Sequence, residues 1–224
     1  MKTIITILCV LITFSTLNAQ KEESQDYIQF DDRNNVVHGV YLGFNIHYAK
    51  FDTPGTQDAV LVNFKLAYVA NQKVEIGFGG SVFFNERDND RPDLFNGDKI
   101  GLVGAYGGIH LEPILFGKRF VSVSFPILMG GGVVGYFGNS FTDEYEDLND
   151  QDFDEFFIVE PGINILYNFS RYTQFETGIR YRFTSQYDLS PYDKGNLNGF
   201  SIGAGLKIGI FNMGRKKKIK DDFN

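Results

Sequence analysis

The sequence predicts an all-β protein, an eight-stranded antiparallel up-and-down transmembrane β-barrel. Eight segments alternate between apolar residues and small or polar residues, which is the pattern of a strand with one apolar face. The connections between these segments are alternately short and long, as in barrels that cross a membrane. No segment of the mature chain has the run of about 18 apolar residues that a spanning helix requires. Because only helices and closed barrels span lipid, these observations favour the barrel.

The first 19 residues have the pattern of a cleaved signal peptide. Lys2 supplies a positive charge, Ile4–Phe14 is a short apolar run, and the small Ala19 precedes the expected cleavage site. The single cysteine, Cys9, lies inside this segment, which excludes disulfide and thiol chemistry from the mature chain. Residues 20–36 then form an acidic segment that we expect on the periplasmic side.

The first strand, Gly39–Tyr48, illustrates the alternation on which the prediction depends. Val40, Leu42 and Phe44 share one face with Ile46 and Tyr48, and the positions between them are small or polar. Tyrosines on the apolar face (Tyr48, Tyr68, Tyr167 and Tyr181) are candidates for aromatic girdles at the two membrane interfaces. The eight predicted strands are 39–48, 60–68, 74–84, 99–112, 120–129, 157–167, 174–183 and 200–210.

The connections predict which end of the barrel faces which compartment. Those near 70–72, 116–119 and 168–172 are tight, whereas 85–98, 137–155 and 185–198 are long and 51–58 is moderate. Successive connections of an up-and-down barrel lie at opposite ends, so the short ones share one end and the long ones share the other. We therefore expect periplasmic short turns, extracellular long loops and both termini in the periplasm.

The less apolar face distinguishes a membrane barrel from its alternative, a soluble lipocalin-like carrier whose apolar face lines an inner cavity. This face mixes glycine and serine with few charges, which is unusual for a soluble surface but suits the narrow interior of an eight-stranded barrel. Four acids and four bases can pair there, as buried charges require. These residues are Lys65, Glu75, Glu112, Glu160, Glu176, Arg180, Arg182 and Lys207.

Two prolines fall inside predicted strands. Pro126 and Pro161 each remove a ladder hydrogen bond, and a closed barrel has no edge to accommodate them. Their phases place them on opposite faces. We expect a bulge or a weakened ladder near them, and we expect Gly130–Gly132 to loosen the strand pairing further.

The stretch FFIVEPGINILYNFSRYTQFETGIRYRFT, Phe156–Thr184, combines a strand, a tight turn and a return strand, and GLKIGIF, Gly205–Phe211, has the pattern of a closing strand. In these features the chain resembles the small OmpA-like and OmpX-like outer-membrane barrels, especially uncharacterised Bacteroidota-type outer membrane beta-barrel proteins. The resemblance covers residues 37–211. It implies an outer-membrane location and insertion by the barrel-assembly machinery, which often recognises a terminal aromatic. Here, however, Phe211 is followed by a basic tail, residues 212–224.

No catalytic, cofactor or metal site is predicted. Asp150, Asp152 and Asp154 have the spacing of the first half of a calcium loop, but Glu155 replaces the required glycine. The pattern favours a solvated outer loop over a specific ion site, and weak divalent bridging to lipopolysaccharide stays open as an alternative.

An outer-membrane lipid-modifying enzyme is the second alternative to a structural protein, after the soluble carrier. His47 and the serines Ser140, Ser185 and Ser190 are its candidate residues, but their spacing supports no nucleophile–base pair. His38 and His110 are interpreted as ordinary polar positions near the periplasmic end. The net charge of -7 argues against nucleic acid as a partner.

We therefore expect an exported outer-membrane barrel with a plugged polar lumen. Its role would be structural or surface-interactive, through loops 85–98 and 137–155. Lipopolysaccharide, outer-membrane lipid and an extracellular partner are the expected contacts.

Overall fold

A computed structural model describes residues 38–51, 57–86, 100–117, 119–138, 153–170, 172–189 and 194–213. The predicted signal peptide, the acidic segment 20–36 and the tail from residue 214 lie outside the described residues, as do most of loops 85–98 and 137–155. Within the described ranges, no helix is long and apolar enough to cross a bilayer.

Eleven strand segments build the structure. They are β1 (His38–Phe51), β2 (Gln57–Ala70), β3 (Val74–Glu86), β4 (Ile100–Leu115), β5 (Val121–Ser124), β6 (Ile127–Gly138), β7 (Phe153–Asn168), β8 (Thr173–Thr184), β9 (Tyr187–Asp188), β10 (Lys194–Gly195) and β11 (Gly199–Met213).

The large strands close into a ring of eight. Each pairs antiparallel with the next along the chain, β5 and β6 together occupy one position, and β11 pairs with both β8 and β1. The small hairpin β9–β10 forms a separate two-stranded sheet within the connection from β8 to β11. The predicted eight-stranded antiparallel barrel is confirmed.

The registers determine the tilt of the strands. On one circuit the pairing advances by ten residues, because a path that starts at Gly39 of β1 returns to Ala49 of the same strand. Such a stagger around eight strands corresponds to a tilt of about 40°, within the usual range for membrane barrels. The interior of a ring of this size is just wide enough to be filled by side chains.

The two prolines interrupt the ladder where expected. The fifth predicted strand is broken at Phe125–Pro126 and then continues as β6 to Gly138, well beyond its predicted end at residue 129. The β7–β8 ladder passes from Val159 to Gly162, skipping Glu160 and Pro161. A hydrogen bond from Gly162 N to Pro126 O, 2.8 Å, keeps the strands in register across the gap.

The prediction of loosened strand pairing at Gly130–Gly132 was wrong. These glycines pair regularly with Gly108, Gly107 and Tyr106 of β4. A Cβ at Gly130 would lie 2.0 Å from Gly107 O, so at this position glycine permits a close approach of β4 and β6.

The two faces have the predicted orientation. On β1, Leu42, Phe44 and Ile46 are exposed on the outer surface, whereas Asn45 and His47 are buried in the lumen. The same holds around the ring, where Phe64 is 53% exposed and Arg182 only 1%. The lipocalin-like alternative requires the opposite orientation.

We call the end of the barrel that carries turns 71–73, 116–120 and 169–172 the short-turn end. β1 begins there and β11 ends there. The opposite end, which carries the connections 52–56, 87–99, 139–152 and 185–198, is the long-connection end.

Candidate functional site

All eight charged residues predicted to face the lumen are buried there. We call them the luminal charge network: Lys65, Glu75, Glu112, Glu160, Glu176, Arg180, Arg182 and Lys207. Strand alternation alone directs each of them inward, and the registers bring six different strands together in the network. Four carboxylates face four cations, so the network is electrically balanced, as buried ions require.

Lys207 is the centre of the half of the network nearer the short-turn end. Its Nζ lies 2.8 Å from Glu75 Oε2, 3.2 Å from Glu176 Oε2 and 3.3 Å from Glu112 Oε1. Lys65 Nζ lies 2.6 Å from Glu176 Oε1 and 3.5 Å from Glu112 Oε2. Two lysines therefore hold three carboxylates together across the lumen.

Neutral side chains complete the hydrogen bonding of these carboxylates. Tyr41 OH donates to Glu75 Oε2 and Ser124 Oγ donates to Glu112 Oε1. Asn164 Nδ2 donates to the same Glu112 oxygen at 3.3 Å, and His110 Nε2 lies 2.9 Å from Glu112 Oε2. Glu112 is thus anchored by β5, by β7 and by His110 of its own strand, in addition to its lysines.

The other half of the network is centred on Glu160. Arg182 Nε donates to Glu160 Oε2 at 3.1 Å, Arg180 Nη1 donates to Oε1 at 3.3 Å, and Tyr106 OH donates to Oε2 at 2.8 Å. The Arg182 guanidinium also lies 5.0 Å from the centre of the Phe51 ring, a cation–π contact. Arg180 Nη2, 3.9 Å from Glu176 Oε1, links the two halves.

Apolar layers close the lumen on both sides of the network. Toward the short-turn end, Tyr41, Ala67, Val69 and Phe211 form one buried cluster, with the rings of Tyr41 and Phe211 stacked at 5.7 Å. Toward the long-connection end lies a larger cluster. Its members are Ala49, Phe51, Ala59, Leu61, Phe83, Leu102, Tyr106, Leu128, Val134, Phe156, Ile158, Tyr187, Leu189 and Leu197.

The last three residues of this larger cluster come from the connection between β8 and β11. Tyr187 belongs to β9, Leu189 directly follows β9, and Leu197 follows β10; both leucines are fully buried. The described part of this connection therefore contributes apolar side chains to the interior at the long-connection end. The sequence predicts a long connection over residues 185–198, but its length alone did not indicate these buried side chains.

The luminal charge network borders a small cavity. A cavity of about 10 Å³ lies beside Asn63, Lys65, His110, Glu160 and Arg180. This is room for about one water molecule, whereas pockets for organic ligands are typically about 300 Å³ or larger. Around this cavity the described part of the interior is filled by side chains.

Glu75, His110 and Glu112 are the described residues with the geometry of a metal-binding group, since their ligand atoms lie within 4.8 Å of one another. The Lys207 ammonium, however, lies between the two carboxylates and contacts both. The ammonium of Lys207 already supplies the positive charge that a metal ion would bring. These residues therefore fit a salt-bridge network better than a metal site.

The residues weighed as catalytic candidates do not form a site in the described structure. His47 is buried in the lumen, and a Cβ at Gly203 would lie 2.4 Å from its ring. Ser185 is exposed and its Oγ accepts a hydrogen bond from Phe157 N at 2.9 Å. Ser140, Ser190 and the acidic residues Asp150 and Asp152 lie outside the described residues.

His110 was misjudged as an ordinary polar position. It is buried against the luminal charge network, with its Nε2 2.9 Å from Glu112 Oε2. The signal for this was available, because His110 and Glu112 share the inward phase of β4. Phe211, considered as an assembly signal, points into the lumen.

No family model and no curated protein matches the sequence. Among solved structures, the chain is similar to Neisserial surface protein A, with 10% identity, a TM-score of 0.57, and coverage of 75% of this chain and 96% of that one. It is also similar to Ail, the attachment invasion locus protein of Yersinia pestis, with 15% identity, a TM-score of 0.43, and coverage of 77% and 99%. The outer membrane enzyme PagL is similar at 8% identity and a TM-score of 0.36, with coverage of 74% and 98%. From its closed ring of eight strands and the first of these similarities, the chain has the fold of the small eight-stranded outer-membrane β-barrels.

Proposed function

We propose that the protein is an outer-membrane barrel with a closed lumen, which presents its acidic long connections at the cell surface in a structural or surface-interaction role. The observation that carries this proposal is the combination of an apolar outer surface with a lumen packed by ions between two apolar layers. The first feature requires lipid, and the second leaves the connections as the part of the molecule able to meet a partner.

The outer surface supports a membrane location. Exposed large apolar side chains occur on all eight strands of the ring, whereas soluble monomers rarely expose apolar patches beyond several hundred Å². Aromatic residues lie near both ends of this belt. Tyr68, which pairs with Val40, lies toward the short-turn end, and Tyr48 lies eight residues further along β1. At about 3.3 Å per residue and a tilt of about 40°, this spacing corresponds to about 20 Å, close to the height of a membrane barrel's apolar band.

The long connections carry the charge of the proposed surface. Connections 87–99 and 139–152 contain ten acids and three bases. An extracellular partner with basic groups, or lipopolysaccharide bridged by divalent cations, is the contact that this charge favours. We propose insertion by the barrel-assembly machinery and no enzymatic activity, because His47 is buried in the lumen whereas Ser185 is exposed and its Oγ accepts a backbone hydrogen bond from Phe157.

Membrane fractionation tests the location. The full-length protein should sediment with outer membranes, require detergent for extraction, and migrate differently on a gel when unheated than when boiled. A protein recovered in the soluble fraction without detergent would contradict the proposal.

Planar-bilayer recording tests the closed lumen. The reconstituted protein should show no steady ion conductance beyond the protein-free bilayer, because the apolar layers seal the network at both ends. A steady open channel in folded protein would show that the lumen is not closed, and a solute-conducting role would then replace the one proposed.

A further inference from the structure

The short-turn end differs in charge from the long-connection end. Turns 71–73, 116–120 and 169–172 contain four basic residues, Lys73, Lys118, Arg119 and Arg171, and no acidic residue. The four connections at the opposite end contain many more acids than bases. The two ends of the barrel therefore differ in the charge of their connections as well as in the length of those connections.

The described cations fall into three groups by their partners. Four belong to the luminal charge network. Lys50 and Lys194, at the long-connection end, are exposed and paired with Asp58 at 3.8 Å and Asp188 at 2.6 Å. Lys73 and Arg119, at the short-turn end, are exposed and have no carboxylate partner among the residues that the structure describes.

Contacts between neighbouring turns join these two cations into one rim. Ile114 N donates to Lys73 O at 2.6 Å, and a Cβ at Gly117 would lie 1.8 Å from Gln72 O, so the first two turns are in backbone contact. Asn168 Nδ2 donates to Arg119 O at 2.6 Å, which fixes the second turn to the third.

Exposed aromatic rings lie in the second and third of these turns. We call Phe116, Phe120, Phe169 and Tyr172 the aromatic collar; each is about half exposed or more. The Arg119 guanidinium lies 4.8 Å from the centre of the Phe116 ring, and Phe120 packs edge-on against Phe169 at 6.5 Å. Aromatic rings at this position of a membrane protein lie at the level of the lipid headgroups.

We propose that the short-turn end binds the headgroups of anionic phospholipids in the inner leaflet of the outer membrane, through Lys73 and Arg119 above the aromatic collar. This inference rests on the proposed membrane location. Cations that have no carboxylate partner within the described ranges can meet a lipid phosphate directly at headgroup depth, and a guanidinium can bind it with two hydrogen bonds. An anionic lipid is favoured over a zwitterionic one because its net charge is not cancelled by an ammonium group.

The absence of tryptophan from the chain gives the experiment a clean reporter. F169W places one fluorophore in the aromatic collar, and F200W places one on the outer surface of β11 near the long-connection end. Each full-length variant is reconstituted into vesicles of phosphatidylcholine containing either brominated phosphatidylglycerol or brominated phosphatidylcholine. The quenching ratio gives the relative association constant of the two lipids at each site.

At F169W we expect phosphatidylglycerol to be favoured about fivefold or more, and at F200W we expect a ratio near one. Adding K73A/R119A should bring the F169W ratio close to one, whereas the matched pair K50A/K194A should leave it unchanged. Raising the ionic strength should reduce the preference equally whether inorganic phosphate or chloride is added. If inorganic phosphate abolishes the preference for phosphatidylglycerol and chloride at the same ionic strength does not, the site binds free phosphate and the proposal is wrong.

A ratio near one at F169W, or a preference that survives K73A/R119A, would also refute the inference. K73Q/R119Q serves as a second, milder variant, and the heat-dependent gel shift selects folded protein. If neither brominated lipid quenches at either position, the barrel is not in the bilayer, and the proposed function itself fails. Quenching by both lipids without preference refutes the headgroup site alone.

Discussion

Lys207 is the residue whose loss should most disturb the lumen. Its ammonium has no solvent exposure and contacts Glu75, Glu112 and Glu176 at 2.8–3.3 Å. In K207M the side chain keeps a similar length but loses its charge. Lys65 is then the one lysine left in the luminal charge network, facing three buried carboxylates. We expect a strong loss of stability.

The magnitude follows from the cost of leaving a buried charge unpaired, about 3–5 kcal/mol. A loss of about 4 kcal/mol lowers the ratio of folded to unfolded protein about a thousandfold. With a denaturant slope of about 2 kcal/mol per molar, the urea midpoint should fall by about 2 M. Urea titration in lipid vesicles, read by the heat-dependent gel shift, measures this midpoint.

Two comparisons separate charge from packing. K194M removes an exposed lysine that is also paired with a carboxylate, and it should leave the midpoint unchanged because solvent screens that pair. E75Q/K207M restores the charge balance and should recover at least half of the loss. A K207M midpoint within about 0.5 M of the unmodified protein, or no recovery in the double variant, would refute the argument that charge balance stabilises the lumen.

Two further substitutions test the interior and the outer face. G205A should destabilise the barrel by about 1–3 kcal/mol, because its Cβ would lie 1.9 Å from Asn45 Oδ1, whereas G80A should be tolerated, since its nearest neighbour is Tyr106 O at 3.6 Å; equal urea midpoints for the two variants would contradict this. F44K places a charge on the apolar belt and should cost about 2–4 kcal/mol, while F44L should insert normally; the folded fraction after reconstitution measures both, and efficient insertion of F44K would argue against lipid contact at Phe44.

Much of the fold was predictable because one rule, the period of two, determines both faces of a closed sheet. It placed Glu160 and Arg182 inside and Phe44 outside without any knowledge of their partners. The break at Pro126 was equally predictable, since a residue without an N–H cannot complete a ladder in a ring that has no edge.

The apolar layers of the lumen were not predicted. Leu61, Phe83 and Phe156 occupy the inward phase of their strands, but their shared height becomes evident only once the registers align them. Leu189 and Leu197 were missed for another reason. Two leucines in a polar connection have no periodicity, so nothing local indicates that the chain turns back into the barrel.

The luminal charge network also bears on the order of assembly. Glu75 and Glu112 belong to the first half of the barrel, while Lys207 is carried by β11, the last strand of the ring to be synthesised. Until that strand docks against β1, the nascent wall holds an excess of negative charge that only its final segment can neutralise. The pairing of β11 with β1 thus closes the ring and neutralises the interior in one step. A chain shortened before β11 would be left both open and electrically unbalanced.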